Sequence, residues 1–201
     1  TKLFSFIFIV LITTSSNAAS SKNLLIVGDS LSAGYNMPAD QSWPMLLNQK
    51  YQQSNSKVTI INASISGDTT GNGLARLPAL LAKHKPSYVL IALGANDGLR
   101  GFSPKIITDN LTKMITLSQS SSAQVLLMQI KIPPNYGKRY NQLFTSIYPH
   151  LGETYKVPVL DFFLEQVIIK PEWMMEDGLH PKPSAQNWIA GFVEKQVKPY
   201  L

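Results

Sequence analysis

Hydrophobic and polar positions in this chain are grouped in blocks. Residues 23–27, 57–63, 87–94, 124–130 and 157–163 are short, largely apolar runs. The runs 23–27 and 87–94 read as buried parallel strands, 57–63 is rich in β-branched residues, and all five read as strands. Longer segments between them carry apolar residues at helical spacing. The segment 73–84 sets Leu74, Leu77, Leu80 and Leu81 along one face. Segments 43–53, 103–120, 139–155 and 183–200 read the same way. Pro44 is tolerated in a first turn, and Ser103 with Pro104 is a helix-start signal. Pro78 falls inside a helical pattern and predicts a kink or a fresh start there, and Pro149 predicts a bend in 139–155. Strands alternating with helices imply an α/β fold, a parallel sheet covered by helices on both faces. Chemistry in such folds gathers at the carboxyl ends of the strands.

The segments at those ends are unusual. The first run leads into Gly28-Asp29-Ser30 and the second into "NASISGDTTGNG", 62–73. The third leads into "LGANDGLRG", 93–101, and "EDGLHP", 176–181, follows the last. A serine in a tight turn after a strand is a turn former unless a base, an orienting acid and oxyanion donors surround it. Of the three histidines, His84 lies between two lysines and His150 follows Pro149 within a helical pattern. His180 has Asp177 three residues before it, a spacing that lets a carboxylate reach Nδ1 and hold the tautomer needed at Nε2. The same spacing also suits a plain Asx-turn. Asn96 offers a side-chain amide just past a central strand, and Gly67 lets a backbone N–H approach closely. Each alone would be a turn residue; together with the N–H of Ser30 they supply what a nucleophilic serine lacks.

Composition narrows the classes. The chain has 201 residues, 44% hydrophobic and 15% charged, which fits one packed domain with a short appendage. It has no cysteine, which removes disulfides, thiolate metal sites and a cysteine nucleophile. The charge of +6 is scattered; its densest spot, Lys138-Arg139 between Tyr136 and Tyr140, reads as the solvated start of a helix, and no nucleic-acid partner is expected. Residues 1–19 have a lysine, an apolar run ending at Ile12 and small residues 16–19, the order of a cleaved signal peptide and too short a run for a membrane anchor. A periplasmic or secreted domain over 20–201 is therefore expected. The chain contains no H-E-x-x-H, P-loop or G-x-G-x-x-G, so neither a metal nor a nucleotide cofactor is implied. The G-x-S-x-G elbow is absent too, since Ser32 lies two residues after Ser30.

"GDSLS", "SGDTTGNG", "GAND" and "DGLHP", in this order, resemble the four blocks of the SGNH (GDSL-type) hydrolases. "NASISGDT", "GLARLPALL" and "NDGLRGF" resemble the Gram-negative periplasmic thioesterase I, protease I and lysophospholipase subgroup. The resemblance implies a flavodoxin-like three-layer α/β/α fold. It also implies a Ser30–His180–Asp177 triad with an oxyanion hole from Ser30, Gly67 and Asn96. A serine esterase acting on acyl esters and thioesters through an acyl-enzyme follows, with lysophospholipids among its substrates, and a monomer is expected. A carbohydrate O-acetyl esterase and a non-catalytic lipid- or glycan-binding module are the competing readings. For the acyl groove, Leu99 and Phe102 between Gly98 and Gly101 suggest one wall, and Ile132 with Tyr136 the other. The alternative is a surface loop in which Phe102 packs on the following helix.

Overall fold

The computed structural model describes residues 22–201; the expected signal peptide at 1–19 lies outside the described residues. All strands are parallel: β1 (Lys22–Gly28), β2 (Val58–Asn62), β3 (Tyr88–Ala92), β4 (Gln124–Met128) and β5 (Val159–Leu160). Their order, β2-β1-β3-β4-β5, is the flavodoxin-like one. The helices are α1 (Ser30–Ala33), α2 (Trp43–Gln53), α3 (Thr70–His84), α4 (Ala95–Leu99), α5 (Pro104–Ser120), α6 (Lys138–Tyr155), α7 (Leu164–Val167) and α8 (Pro183–Val197). α2 and α8 pack together on one face of the sheet, and α3, α5 and α6 follow one another on the other. Leu24 to Val27 and Val89 to Ile91 are fully buried between the layers, as runs without alternation require.

Strand order reverses between β1 and β3, so the chain leaves these two neighbours toward opposite faces and opens a crevice at their carboxyl ends. Gly28 pairs with Ala92 at the last register position, which sets the segments holding Ser30 and Asn96 side by side.

Pro78 does not start a new helix. α3 runs unbroken through Pro78, whose ring lies on the exposed face. It also starts earlier than its apolar spacing suggests, because Thr69 and Asn72 form a reciprocal capping box. α6 continues through Pro149, which leaves the Thr145 carbonyl without its helical donor. The Gln129 side-chain amide, just past β4, donates to that carbonyl at 3.1 Å. The last strand is only two residues long: Pro158 contributes a carbonyl to the β4 ladder but no N–H, and the Asp161 N–H turns away to Gln196.

Gly152 marks where α6 meets this edge. A Cβ there would lie 2.4 Å from Val159 Cγ2 and 3.1 Å from the Val157 carbonyl. Gly152→Ala is expected to destabilise the protein by about 1–3 kcal/mol in urea unfolding, as overpacking does. Adding Val159→Ala should recover part of the loss.

Candidate active site

β1 delivers Ser30 on a turn that is fastened from several sides. Asp29 caps α1, its Oδ1 accepting the Leu31 N–H at 3.0 Å. Trp43 Nε1 donates to the Leu31 carbonyl at 3.1 Å, and Asn62 Nδ2 donates to the Ser32 carbonyl at 2.8 Å. Ser30 opens α1, so its own backbone N–H has no partner within the helix.

His180 arrives from the other end of the chain. The segment 174–181 closes on itself through the Met174–Pro181 bridge and the Met175 N–H to His180 carbonyl bond of 2.8 Å. Gly178 supplies the left-handed turn, φ 65°. Asp177 Oδ1 accepts the N–H groups of Leu179 (2.9 Å) and His180 (3.0 Å). Its Oδ2 lies 2.7 Å from His180 Nδ1, and His180 Nε2 lies 2.9 Å from Ser30 Oγ. The Asx-turn and the relay are thus the same structure. Partial burial raises the Asp177 pKa, but the Leu179 N–H, the His180 ring and the His180 N–H outweigh it, so the carboxyl lies below its usual range.

The oxyanion candidates stand on neighbouring loops. Gly67 sits at φ 84°, exposed, with open space where a Cβ would be. Asn96 is on α4 and donates one amide N–H to the Asp68 carbonyl at 2.9 Å, leaving the second free of that bond. Asp97 is fully buried and accepts the Thr70 N–H (2.8 Å) and hydroxyl (2.5 Å), locking α4 to the start of α3. Arg76 binds Asp68 through Nε at 2.8 Å and also reaches the Ala63 carbonyl.

Ser30, Asn96 and His180 open onto one cavity of about 430 Å³, walled mainly by apolar side chains. Of the four residues expected to form the acyl groove, Leu99 and Ile132 line this cavity, and Phe102 and Tyr136 lie outside its lining. The expected flexible loop is partly the helix α4. Gly98 is buried inside it, where a Cβ would strike Ile132 and Phe144. Phe102 is exposed, and its carbonyl accepts the Tyr140 hydroxyl at 2.6 Å. The Tyr136 hydroxyl donates to the Leu99 carbonyl at 2.9 Å and so braces the wall from behind. The Lys131–Glu165 ion pair also lines the cavity, and Leu31, Phe162, Leu164, Ile168 and Leu179 add further apolar surface. Their only signal in the sequence is apolar residues next to the catalytic blocks and after the last strand.

Among the described residues no group of three or more histidines, cysteines or carboxylates could hold a metal ion. None of their helices is long and apolar enough to cross a membrane. Lys138 and Arg139 lie exposed in the first turn of α6.

Residues 26–187 match the model of the GDSL-like Lipase/Acylhydrolase family. The chain is 58% identical to an arylesterase of Vibrio mimicus over 100% of this chain and 99% of that protein. It is 52% identical to thioesterase 1/protease 1/lysophospholipase L1 of Escherichia coli, over 98% of this chain and 92% of that one. The crystal structure of the psychrotrophic esterase EstA from Pseudoalteromonas sp., inhibited by monoethylphosphonate, superposes with a TM-score of 0.87 at 43% identity. That match covers 89% of this chain and 98% of EstA.

Asp29, next to Ser30, is buried with Oδ2 unpartnered. Burial pushes its carboxyl up to about 7, against the Leu31 N–H bond and with help from Asp68 and Asp97. An acid whose folded pKa is raised binds more protons folded than unfolded between the two values, so stability falls as pH rises from about 4 to about 7. Asp29→Asn keeps the acceptor for Leu31 and cannot ionise. It should be more stable than wild type at pH 8, by about 4 kcal/mol at most, and the advantage should vanish near pH 4. Denaturant titrations across that range check it.

Proposed function

The chain belongs to the GDSL-like lipase/acylhydrolase family, and on that premise we propose that Ser30, His180 and Asp177 carry out its chemistry. The protein is a serine hydrolase of carboxylic esters and thioesters. The observation that carries the residue assignment is the unbroken relay from Asp177 Oδ2 through both nitrogens of His180 to Ser30 Oγ, 2.7 and 2.9 Å.

In this reading Ser30 Oγ attacks the acyl carbonyl as His180 Nε2 takes its proton, and Asp177 steadies the imidazolium through Nδ1. The carbonyl π electrons move onto oxygen, which the N–H groups of Ser30 and Gly67 and the free amide N–H of Asn96 receive. Collapse breaks the bond to the alkoxide or thiolate, which leaves with the proton from His180. Water then gives a proton to His180 while its oxygen attacks the acyl-serine. The second collapse releases the acid and returns the proton to Ser30.

The mainly apolar cavity of about 430 Å³ beside Ser30 supports a substrate with a hydrocarbon acyl chain, lysophospholipids included, over an acetylated sugar. We take the protein to act as a monomer on soluble or micellar acyl substrates. Residues 1–19 support export to the periplasm or beyond.

Hydrolysis of p-nitrophenyl esters, acyl-CoAs, a lysophospholipid and an acetylated xylan tests the assignment. Ser30→Ala should fold and lose hydrolysis of every substrate; turnover near wild type in the folded variant would sink the triad. Acyl selection divides the two residues that the sequence places on one wall. Each buried CH₂ can favour longer chains by ~0.8 kcal/mol at most. Leu99→Ala should flatten the rise of kcat/KM from two-carbon to twelve-carbon esters, whereas Phe102→Ala should leave the profile as it is.

A further inference from the structure

We propose that Tyr35 is a positioning residue for this hydrolysis: its ring, stacked on the His180 imidazole, holds the base in line with Ser30 and steadies the imidazolium. The inference rests on the reading of His180 as the general base. The two ring centroids are 4.0 Å apart and the planes differ by 24°. The contact is made face to face by the ring, not by the hydroxyl.

The geometry leaves a need for such a contact. Hydrogen bonds at Nδ1 and Nε2 act in the plane of the imidazole. They resist in-plane displacement but little resists a tilt about the line joining the two nitrogens. The base also comes from a surface loop, with the Asp177 side chain 36% exposed. Stacking on one face supplies the missing restraint and shields that face, so that the His180 side chain is only 16% exposed. An aromatic face also attracts a cation, so the contact is worth more when the imidazole is protonated than when it is neutral.

Tyr35 can do this because it is fastened to the same segment as the nucleophile. Gly34, at φ 85°, ends α1 in a left-handed turn and sends the next residue back toward the loop. A Cβ at Gly34 would lie 3.1 Å from Ser42 Cβ, so the turn is also closely packed. The carbonyls of Leu31 and Ser32 are held by Trp43 and Asn62. Ser30 and Tyr35 therefore face the imidazole from one rigid piece of chain, the first at its edge and the second at its face.

The test compares Tyr35→Leu and Tyr35→Phe with wild type, measuring kcat and KM on p-nitrophenyl acetate together with Tm. Tyr35→Leu should lower kcat about tenfold, the size of a well-formed cation–π contact, with KM unchanged. Tyr35→Phe keeps the ring and should restore the rate. The downfield proton resonance of the His180–Asp177 bond should broaden in Tyr35→Leu and stay sharp in Tyr35→Phe. If Tyr35→Leu does not fold, Tyr35→Gln takes its place. A kcat within twofold of wild type without the ring overturns the proposal. So does a change confined to KM, or a Tyr35→Phe variant as slow as Tyr35→Leu. His180→Ala separates this from the triad: an active His180→Ala sinks the triad, while an inactive one beside a fast Tyr35→Leu removes only the stacking role.

Discussion

The buried carboxylate of Asp97 fixes the part of the site that the sheet alone cannot. A parallel sheet brings its strand ends to one edge, but the loops leaving β2 and β3 are free to diverge above it. Asp97 sits at zero exposure in α4 and takes both the backbone N–H and the hydroxyl of Thr70, the first residue of α3. Asn110 on α5 donates to the same hydroxyl at 3.0 Å. Charge-assisted bonds to a buried carboxylate are among the stronger ones available, and this carboxylate also lies at the positive end of α3. With Thr70 and Asp97 joined, Asn96 on one side and Gly67-Asp68 on the other have a fixed separation. The Asn96–Asp68 bond then sets the direction of the amide.

This edge is crowded with acids. Asp29, Asp68 and Asp97 all lie near the segments that hold Ser30, Gly67 and Asn96. The molecule deals with each differently. Asp29 is held neutral up to about pH 7 by burial. Asp68 is paired with Arg76, which also binds the carbonyl of Ala63 and so ties the end of β2 to α3. Asp97 has its lone pairs taken by Thr70. Ser30, Asn96 and His180 reach the cavity, which is otherwise walled mainly by apolar side chains, and none of these three acids is among its lining residues.

Much of this was legible in the sequence, and the misses have physical causes. The central strands β1 and β3 could be read because burial on both faces removes alternation. Ser30, Gly67, Asn96, Asp177 and His180 stood out as candidates because each segment after a strand carried chemistry the others completed, and the structure brings Asp177, His180 and Ser30 into one hydrogen-bonded line. The short helices α1, α4 and α7 could not, since four or five residues give no period. That α6 runs on through Pro149 could not be read, since the donor serving the Thr145 carbonyl, Gln129, lies in another element; Pro78 is taken into α3 with its ring toward solvent. Phe102 is close to Asn96 in sequence, but α4 and the left-handed Gly101, φ 68°, stand between them, and Phe102 is not among the residues lining the cavity. Tyr35 was passed over because its partner is far along the chain, and a lone exposed tyrosine carries no pattern.

That distance is a general difficulty for this site. Ser30 follows the first strand and His180 stands on the loop before the last helix, so a shift between α2 and α8 would separate the two side chains. One buried chain of bonds opposes this. Gln186, six residues past His180, accepts the backbone N–H of Trp43 at 3.0 Å, and both are nearly fully buried. The Trp43 indole in turn donates to the carbonyl of Leu31, beside Ser30. A buried amide and indole N–H are costly unless satisfied, so sliding α8 along α2 would expose that cost at once. The same polar groups that would weaken an ordinary apolar helix contact therefore give this one a single register, and that register is the one that sets the imidazole against the serine.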